Sequence, residues 1–125
     1  MSDIFLKRIY EPYDEMDGCR ILVDRVWPRG ISKESAKLQY WFKDIAPSPD
    51  LRKWFCHKPE LFPEFRSRYL DELRSDDQKQ NLMRQVLETA ANEQVTLLYG
   101  AKDPVYNHAV VLHEELMNQI NGESL

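Results

Sequence analysis

Glycine is scarce in this chain, with four residues in 125, and none of them sits in a phosphate-cradling loop or a G-x-S-x-G elbow. That absence removes the P-loop, the dinucleotide fingerprint and the serine-hydrolase turn from consideration. Cysteine is scarcer still. Cys19 and Cys56 fit no metal-ligand spacing and build no disulfide framework, so reduced thiols are expected. His108 and His113 stand five apart, a poor spacing for joint ligation on one helical face, and no carboxylate or cysteine completes a set. Neither a metal nor a cofactor is expected. No apolar run approaches the roughly 18 to 20 residues that span a bilayer, so no membrane partner is expected. The opening "MSDIFLKRIY" also lacks the basic, apolar and small-residue succession of a signal peptide. A cytoplasmic location follows as the expectation.

What the chain does contain is apolar residues at 42% of the total, with three Trp, six Tyr and five Phe. That is enough core for one α/β domain over residues 1–125. The net charge of −4 is unevenly spread: residues 1–58 hold 11 Lys/Arg against 9 Asp/Glu, while the remainder holds 6 against 12. An acidic protein lacks the broad positive field of a generic nucleic-acid binder, so nucleic acid is disfavoured as a partner and only a local basic face could recruit it.

Apolar, β-branched runs at Ile4–Tyr10 and Cys19–Arg25 read as strands, separated by the turn-rich "EPYDEMDG". The link between them is short enough that an antiparallel pair is an alternative to a parallel one. Leu38–Phe42 reads as a third strand and Gln94–Gly100 as a buried one stopped by Gly100. Ser48-Pro49-Asp50 has the order of an N-cap, first-position proline and first-turn acid, opening a helix through "LRKWFCH". Phe62, Phe65, Tyr69 and Leu73 mark one face of a second helix. Ser75 with Gln78 has capping-box spacing ahead of a third. Asp103-Pro104 is expected to cap a last helix carrying Ala109, Leu112, Leu116 and Ile120, with Asn121-Gly122 ending it. Strands alternating with helices predict a mainly parallel sheet flanked by helices in Rossmann-like layers.

Ligands of open α/β sheets bind beyond the carboxyl ends of the strands. Two dense stretches belong there, "DRVWPRG" and "YGAKDPVYNH". If their strands are neighbours, Arg25, Trp27 and Arg29 face Lys102, Asn107 and His108 in a cationic, aromatic pocket suited to an anion. Asp24, Asp103 and His108 are the candidates for acid–base work. A second basic stretch, "DLRKWFCHKPE", offers Arg52, Lys53 and His57 as an interaction face around Trp54. On a continuous helix Arg52 and Cys56 share one side and Lys53 and His57 another. Cys56 beside His57 is a weak catalytic pair, because adjacent helical residues diverge by roughly 100°.

The blocks "RIY", "ILVDRVWPRGISKE", "WFKDIAPS", "LRKWFCH", "FRSRYLDEL" and "VTLLYGAKDPVYNHAVVL" resemble, in order and spacing, the YeaO-type branch of the domain-of-unknown-function 488 family. The resemblance runs from about Lys7 to Leu116. It implies a single small cytosolic α/β domain of bacterial type, and some relatives of this kind occur beside or fused to transcription regulators. Broader members carry a Val-Asp-Val-Arg-like strand exit and a Cys-His-Arg run after the last strand. Val23, Asp24 and Arg25 resemble the first, whereas Asn107-His108-Ala109 stands at the second, so the thiol and one arginine of that run are missing. Cys56 occupies the position of glycine in the "KWFGH" form of its block.

Two functions from different classes follow. The first is a site for a small anionic or phosphate-bearing ligand built by Arg25, Trp27, Arg29, Lys102, Asn107 and His108. The second is a non-catalytic module that meets a protein or nucleic acid through Arg52, Lys53 and His57.

Overall fold

The computed structural model describes residues 3–122. Four parallel strands form one sheet in the order β1-β4-β2-β3, with β1 at Ile4–Arg8, β2 at Cys19–Leu22, β3 at Tyr40–Trp41 and β4 at Val95–Tyr99. Ile21 aligns with Leu97 on one side and Tyr40 on the other, which fixes the register across the middle of the sheet. The first two strands are not an antiparallel pair: β4 lies between them and all pairings are parallel. The short link is sufficient because ten fully extended residues reach roughly 33 Å, which leaves slack for the turn at Ile9–Tyr10 and the single 3-10 turn at Glu15–Asp17 within Ile9–Gly18. Gly18 closes this crossing with φ +69°; a Cβ there would lie 2.3 Å from the Gln94 carbonyl oxygen.

Alternation along the strands separates two faces. Cys19, Ile21 and Val23 with Val95, Leu97 and Tyr99 point to the large core. It is covered by α2 (Pro49–Phe55), α3 (Phe62–Ser75), α4 (Asp77–Ala90) and α5 (His108–Ile120), which contribute Phe55, Phe65, Tyr69, Leu73, Met83 and Leu112. Leu22 and Leu98 face the other way, under Ile9, Trp27, Ile31 and the one-turn helix α1 (Lys33–Ala36). On that side Arg20 is 1% exposed. It reaches Asp17 at 2.5 Å and donates twice to the Ala36 carbonyl, at 3.1 and 2.9 Å. Lys7 joins the same carboxylate at 3.0 Å, so the crossing segment, β1, β2 and α1 are tied at one buried charge cluster. No helix among the described residues is long and apolar enough to cross a membrane.

Three helix ends differ from the sequence reading, each for a local reason. The cap of α4 is Asp76, whose carboxylate accepts from the Gln78 and Lys79 amides at 2.8 and 3.2 Å. Ser75 instead closes α3, its hydroxyl donating back to the Asp71 carbonyl; an anion at the helix start is the better cap. The last helix begins at His108, not at Pro104, because Asp103 is spent on a turn with the Val105 and Tyr106 amides. Asn107 caps α5 by accepting from Val110 at 3.0 Å while its amide donates to the Asp103 carbonyl at 2.7 Å. Finally, α2 stops at Phe55, and Cys56 and His57 both adopt left-handed backbone with φ 47° and 56°. Ser48 is its cap, as the sequence predicts, and accepts from Leu51. The third strand is confined to two residues of the expected five.

Candidate functional site

Because β2 and β4 are parallel neighbours, their exits emerge side by side. The Val23 amide still bonds the Leu98 carbonyl at 3.0 Å, and the chain diverges immediately afterwards. Asp24 then reaches across: Oδ2 accepts the Gly100 amide at 2.9 Å. Oδ1 lies 3.3 Å from Nε2 of His108. That nitrogen is also 3.0 Å from the Val23 carbonyl oxygen. The strand exits and the start of α5 are thereby locked together.

Much of "DRVWPRG" holds its own loop in place. Trp27 donates from Nε1 to the Ile31 carbonyl at 2.7 Å, and Trp41 donates to the Asp24 carbonyl at 2.7 Å. The two indoles meet edge to face with centroids 5.3 Å apart. Tyr10 reaches over from the end of β1 and donates to the Arg29 carbonyl at 2.8 Å. Arg25 braces the segment leading to α2, donating to the Pro47 and Ala46 carbonyls at 3.2 Å each, with Asp44 at 3.5 Å. The charge and aromatics crowded after β2 therefore do two jobs, since the loop they pin forms one wall of a cleft.

The cleft has a volume of about 320 Å³. That is within the range of small-ligand pockets, roughly 300 to 1,000 Å³. Trp27, Pro28 and Arg29 from the β2 exit, Arg52 and His57 from the α2 region, and Asn107 and His108 from the start of α5 all line the cleft. Phe55 and Phe65 line it as well, stacked with centroids 4.2 Å apart. Phe65 continues to Tyr69, whose ring stands edge-on to His108 at 6.2 Å. Tyr69 is fully buried and donates to the Ile45 carbonyl at 2.7 Å. Burial, then the nearby Glu72 charge, push its phenol well above the ordinary value, so it stays neutral.

Of the residues expected at an anion site, Arg25, Trp27, Arg29, Asn107 and His108 line this cleft, while Lys102 is exposed outside it. Asp24 and His108 are brought together and Asp103 is not. Its carboxyl is held below the usual range by the Tyr106 and Val105 amides, which marks it as a turn residue. Arg52 and His57 meet at the cleft because the helix ends between them, whereas Lys53 stays exposed elsewhere. Trp54, the aromatic of that stretch, is already covered by the Arg68 guanidinium at 4.5 Å. Cys19 is buried in the core and Cys56 is exposed beyond α2; neither lines the cleft. Tyr10, Phe55 and the Ala46-Pro47 wall were not anticipated. The periodicity of α2 marks Phe55 as apolar, but nothing in the sequence says that its ring also meets a cleft.

The family model described as the inactive DUF488-N3 subclade matches residues 3–124. The chain belongs to the domain-of-unknown-function 488 family. It is 43% identical to the uncharacterized protein YeaO of Escherichia coli K12 over 114 residues, covering 91% of this chain and 96% of that protein. It is 39% identical to the uncharacterized protein Rv3073c of Mycobacterium tuberculosis H37Rv over 109 residues, covering 87% and 89%. No solved structure matches. The relatives share nearly the whole domain, so the strand exits and the start of α5 lie within the matched region.

Proposed function

We propose that this protein binds a small anionic, phosphate-bearing ligand in the cleft at the carboxyl ends of β2 and β4, and that the site is a binding site without a reaction of its own. The observation that carries the reading is the imbalance of charge: three guanidinium groups, Arg25, Arg29 and Arg52, and two imidazoles, His57 and His108, line a cleft whose single carboxylate among the described residues is Asp24. That carboxylate is already engaged by Gly100 and His108. Arg29 and Arg52 make no side-chain hydrogen bond or ion pair among the described residues, so their donor forks are available. The apolar lining of Phe55, Phe65 and Trp27 suits a planar or apolar remainder of the ligand. Two facts favour binding over catalysis. Among the described residues no Ser, Thr, Cys or Lys lines the cleft, and the matching subclade carries the description inactive.

A thermal-shift panel of inorganic phosphate, sulfate, sugar phosphates and nucleotides tests this. A ligand at 100 times its Kd adds about 2.7 kcal/mol of apparent stability. Stabilisation by phosphate-bearing compounds, lost in Arg29→Ala and Arg52→Ala proteins that remain folded, is the expected outcome. A flat panel would sink the anion reading and favour a macromolecular partner.

A further inference from the structure

We infer that His108 takes up a proton on Nδ1 when a doubly charged oxyanion enters the cleft, so that the site selects phosphate-type dianions and completes its positive charge only on binding. This deepens the anion reading above and rests on it.

The argument begins with the fixed side of the ring. Nε2 lies 3.0 Å from the Val23 carbonyl oxygen, an acceptor only, so Nε2 carries a hydrogen whether the ring is neutral or charged. Asp24 Oδ1 stands 3.3 Å from the same nitrogen. It is sealed from solvent and has no hydrogen bond, the one side-chain nitrogen or oxygen in that condition among the described residues. The other carboxylate oxygen is taken by the Gly100 amide. In the neutral ring the lone pair therefore lies on Nδ1. That atom has no hydrogen bond among the described residues and is not sealed from solvent. It belongs to a ring that lines the cleft.

The groups around the ring oppose one another. Asp24 from the β2 exit favours the imidazolium. The start of α5, Arg25 beside Asp24, and Arg29, Arg52 and a protonated His57 in the lining of the same cleft disfavour it. From α3 comes Tyr69, kept neutral by burial. From the β4 exit comes the Gly100 amide, already bonded to Asp24. A bound dianion offsets the cations on the cleft side and leaves Asp24 unopposed. The proton comes from solvent, goes to Nδ1 and is shared with a ligand oxygen. No covalent bond changes. A monoanionic carboxylate offsets less charge and draws a smaller uptake.

Calorimetric titration with sodium sulfate, in buffers of different ionisation enthalpy, counts the protons, because sulfate keeps its charge between about pH 8 and about pH 6, where histidine titrates. Uptake approaching one proton per sulfate is expected, with affinity rising up to about tenfold for each unit fall in pH. His108→Gln should bind with no uptake and a flat pH dependence, while His113→Gln, at a histidine that does not line the cleft, keeps both the uptake and the pH dependence of the parent. Nitrogen NMR of the unaltered protein gives the same answer without a variant: the His108 Nδ1 signal moves to its protonated position when sulfate is added. Binding without proton uptake overturns the inference and leaves the anion site standing. So does uptake that survives in His108→Gln and vanishes in His57→Gln. Absence of binding by both sulfate and phosphate overturns the inference and the anion reading together.

Discussion

Asp24 and Gly100 meet across the β2 and β4 exits, with the carboxylate accepting the glycine amide at 2.9 Å. The contact is close: a Cβ on Gly100 would sit 3.0 Å from the same oxygen. Asp24→Ala leaves the partly buried Gly100 amide without its acceptor. A loss of about 1 to 3 kcal/mol is expected from an unsatisfied buried donor. Urea denaturation checks it. A loss below about 0.5 kcal/mol would mean that water replaces the carboxylate and that the exits are not locked by it.

Arg25 and Arg29 belong to one loop and should respond oppositely to truncation. Arg25 satisfies the carbonyls of buried Ala46 and Pro47, so Arg25→Ala is expected to cost about 1 to 3 kcal/mol of stability. Arg29 contributes its backbone carbonyl to Tyr10 and has an exposed side chain, so Arg29→Ala should stay within about 0.5 kcal/mol of the parent. On the anion reading, Arg29→Ala weakens phosphate or sulfate binding by about 1.5 to 3 kcal/mol. Denaturation and titration on the same two proteins decide the roles; equal stability losses would remove the distinction.

The pattern of strands and helices was legible because each apolar stripe has one period and one dominant cap. Ser48-Pro49 predicts the start of α2, and the face carrying Phe65, Tyr69 and Leu73 is the buried face of α3. The misplaced helix starts are those where two capping residues compete within a few positions. Asp76 beats Ser75 and Asn107 beats Asp103, and in each case the loser is held by a different hydrogen bond that only the folded chain reveals. At the site, the strand exits themselves pointed to Arg25, Trp27, Arg29 and His108. The contribution from the end of α2 was not legible. Arg52 and His57 converge on the cleft because α2 terminates in left-handed backbone between them, and no periodicity argument on a continuous helix brings those two side chains together.

The charge cluster at Asp17 makes stability depend on pH in a defined direction. Burial alone would raise this carboxyl, but bonds from Lys7, the Asp14 amide and Arg20 outweigh burial and hold it below the usual range. A carboxyl depressed on folding binds its proton more weakly in the native state than in the unfolded chain. Its contribution is therefore complete above about pH 4, the ordinary carboxylate value, and is lost as pH falls through the lower native value. Asp17→Asn should be destabilised by about 3 kcal/mol at neutral pH, since it leaves buried Arg20 without its counter-ion. The gap between the two proteins should narrow in acid below about pH 4. A gap that is constant with pH would show that Asp17 acts by shape and hydrogen bonding alone.

Cys56 offers the sharpest test of backbone over chemistry. It ends α2 in left-handed conformation, φ 47° and ψ 40°, with its amide donating to the Arg52 carbonyl, and its side chain is exposed. For a residue with a Cβ this conformation costs roughly 1 to 2 kcal/mol, whereas glycine adopts it freely. Glycine also has more freedom to lose from the unfolded chain, which offsets roughly 0.5 to 1 kcal/mol of that gain. Cys56→Gly should thus stabilise the protein by a net amount of about 0.5 kcal/mol, while Cys56→Ser, which keeps the Cβ, should leave stability nearly unaltered. Binding of phosphate or sulfate should be the same in all three, because the thiol does not line the cleft. Denaturation midpoints and one titration each suffice. A destabilised Cys56→Gly, or a binding loss common to both variants, would mean that the thiol makes a contact on which the end of α2 or the cleft depends.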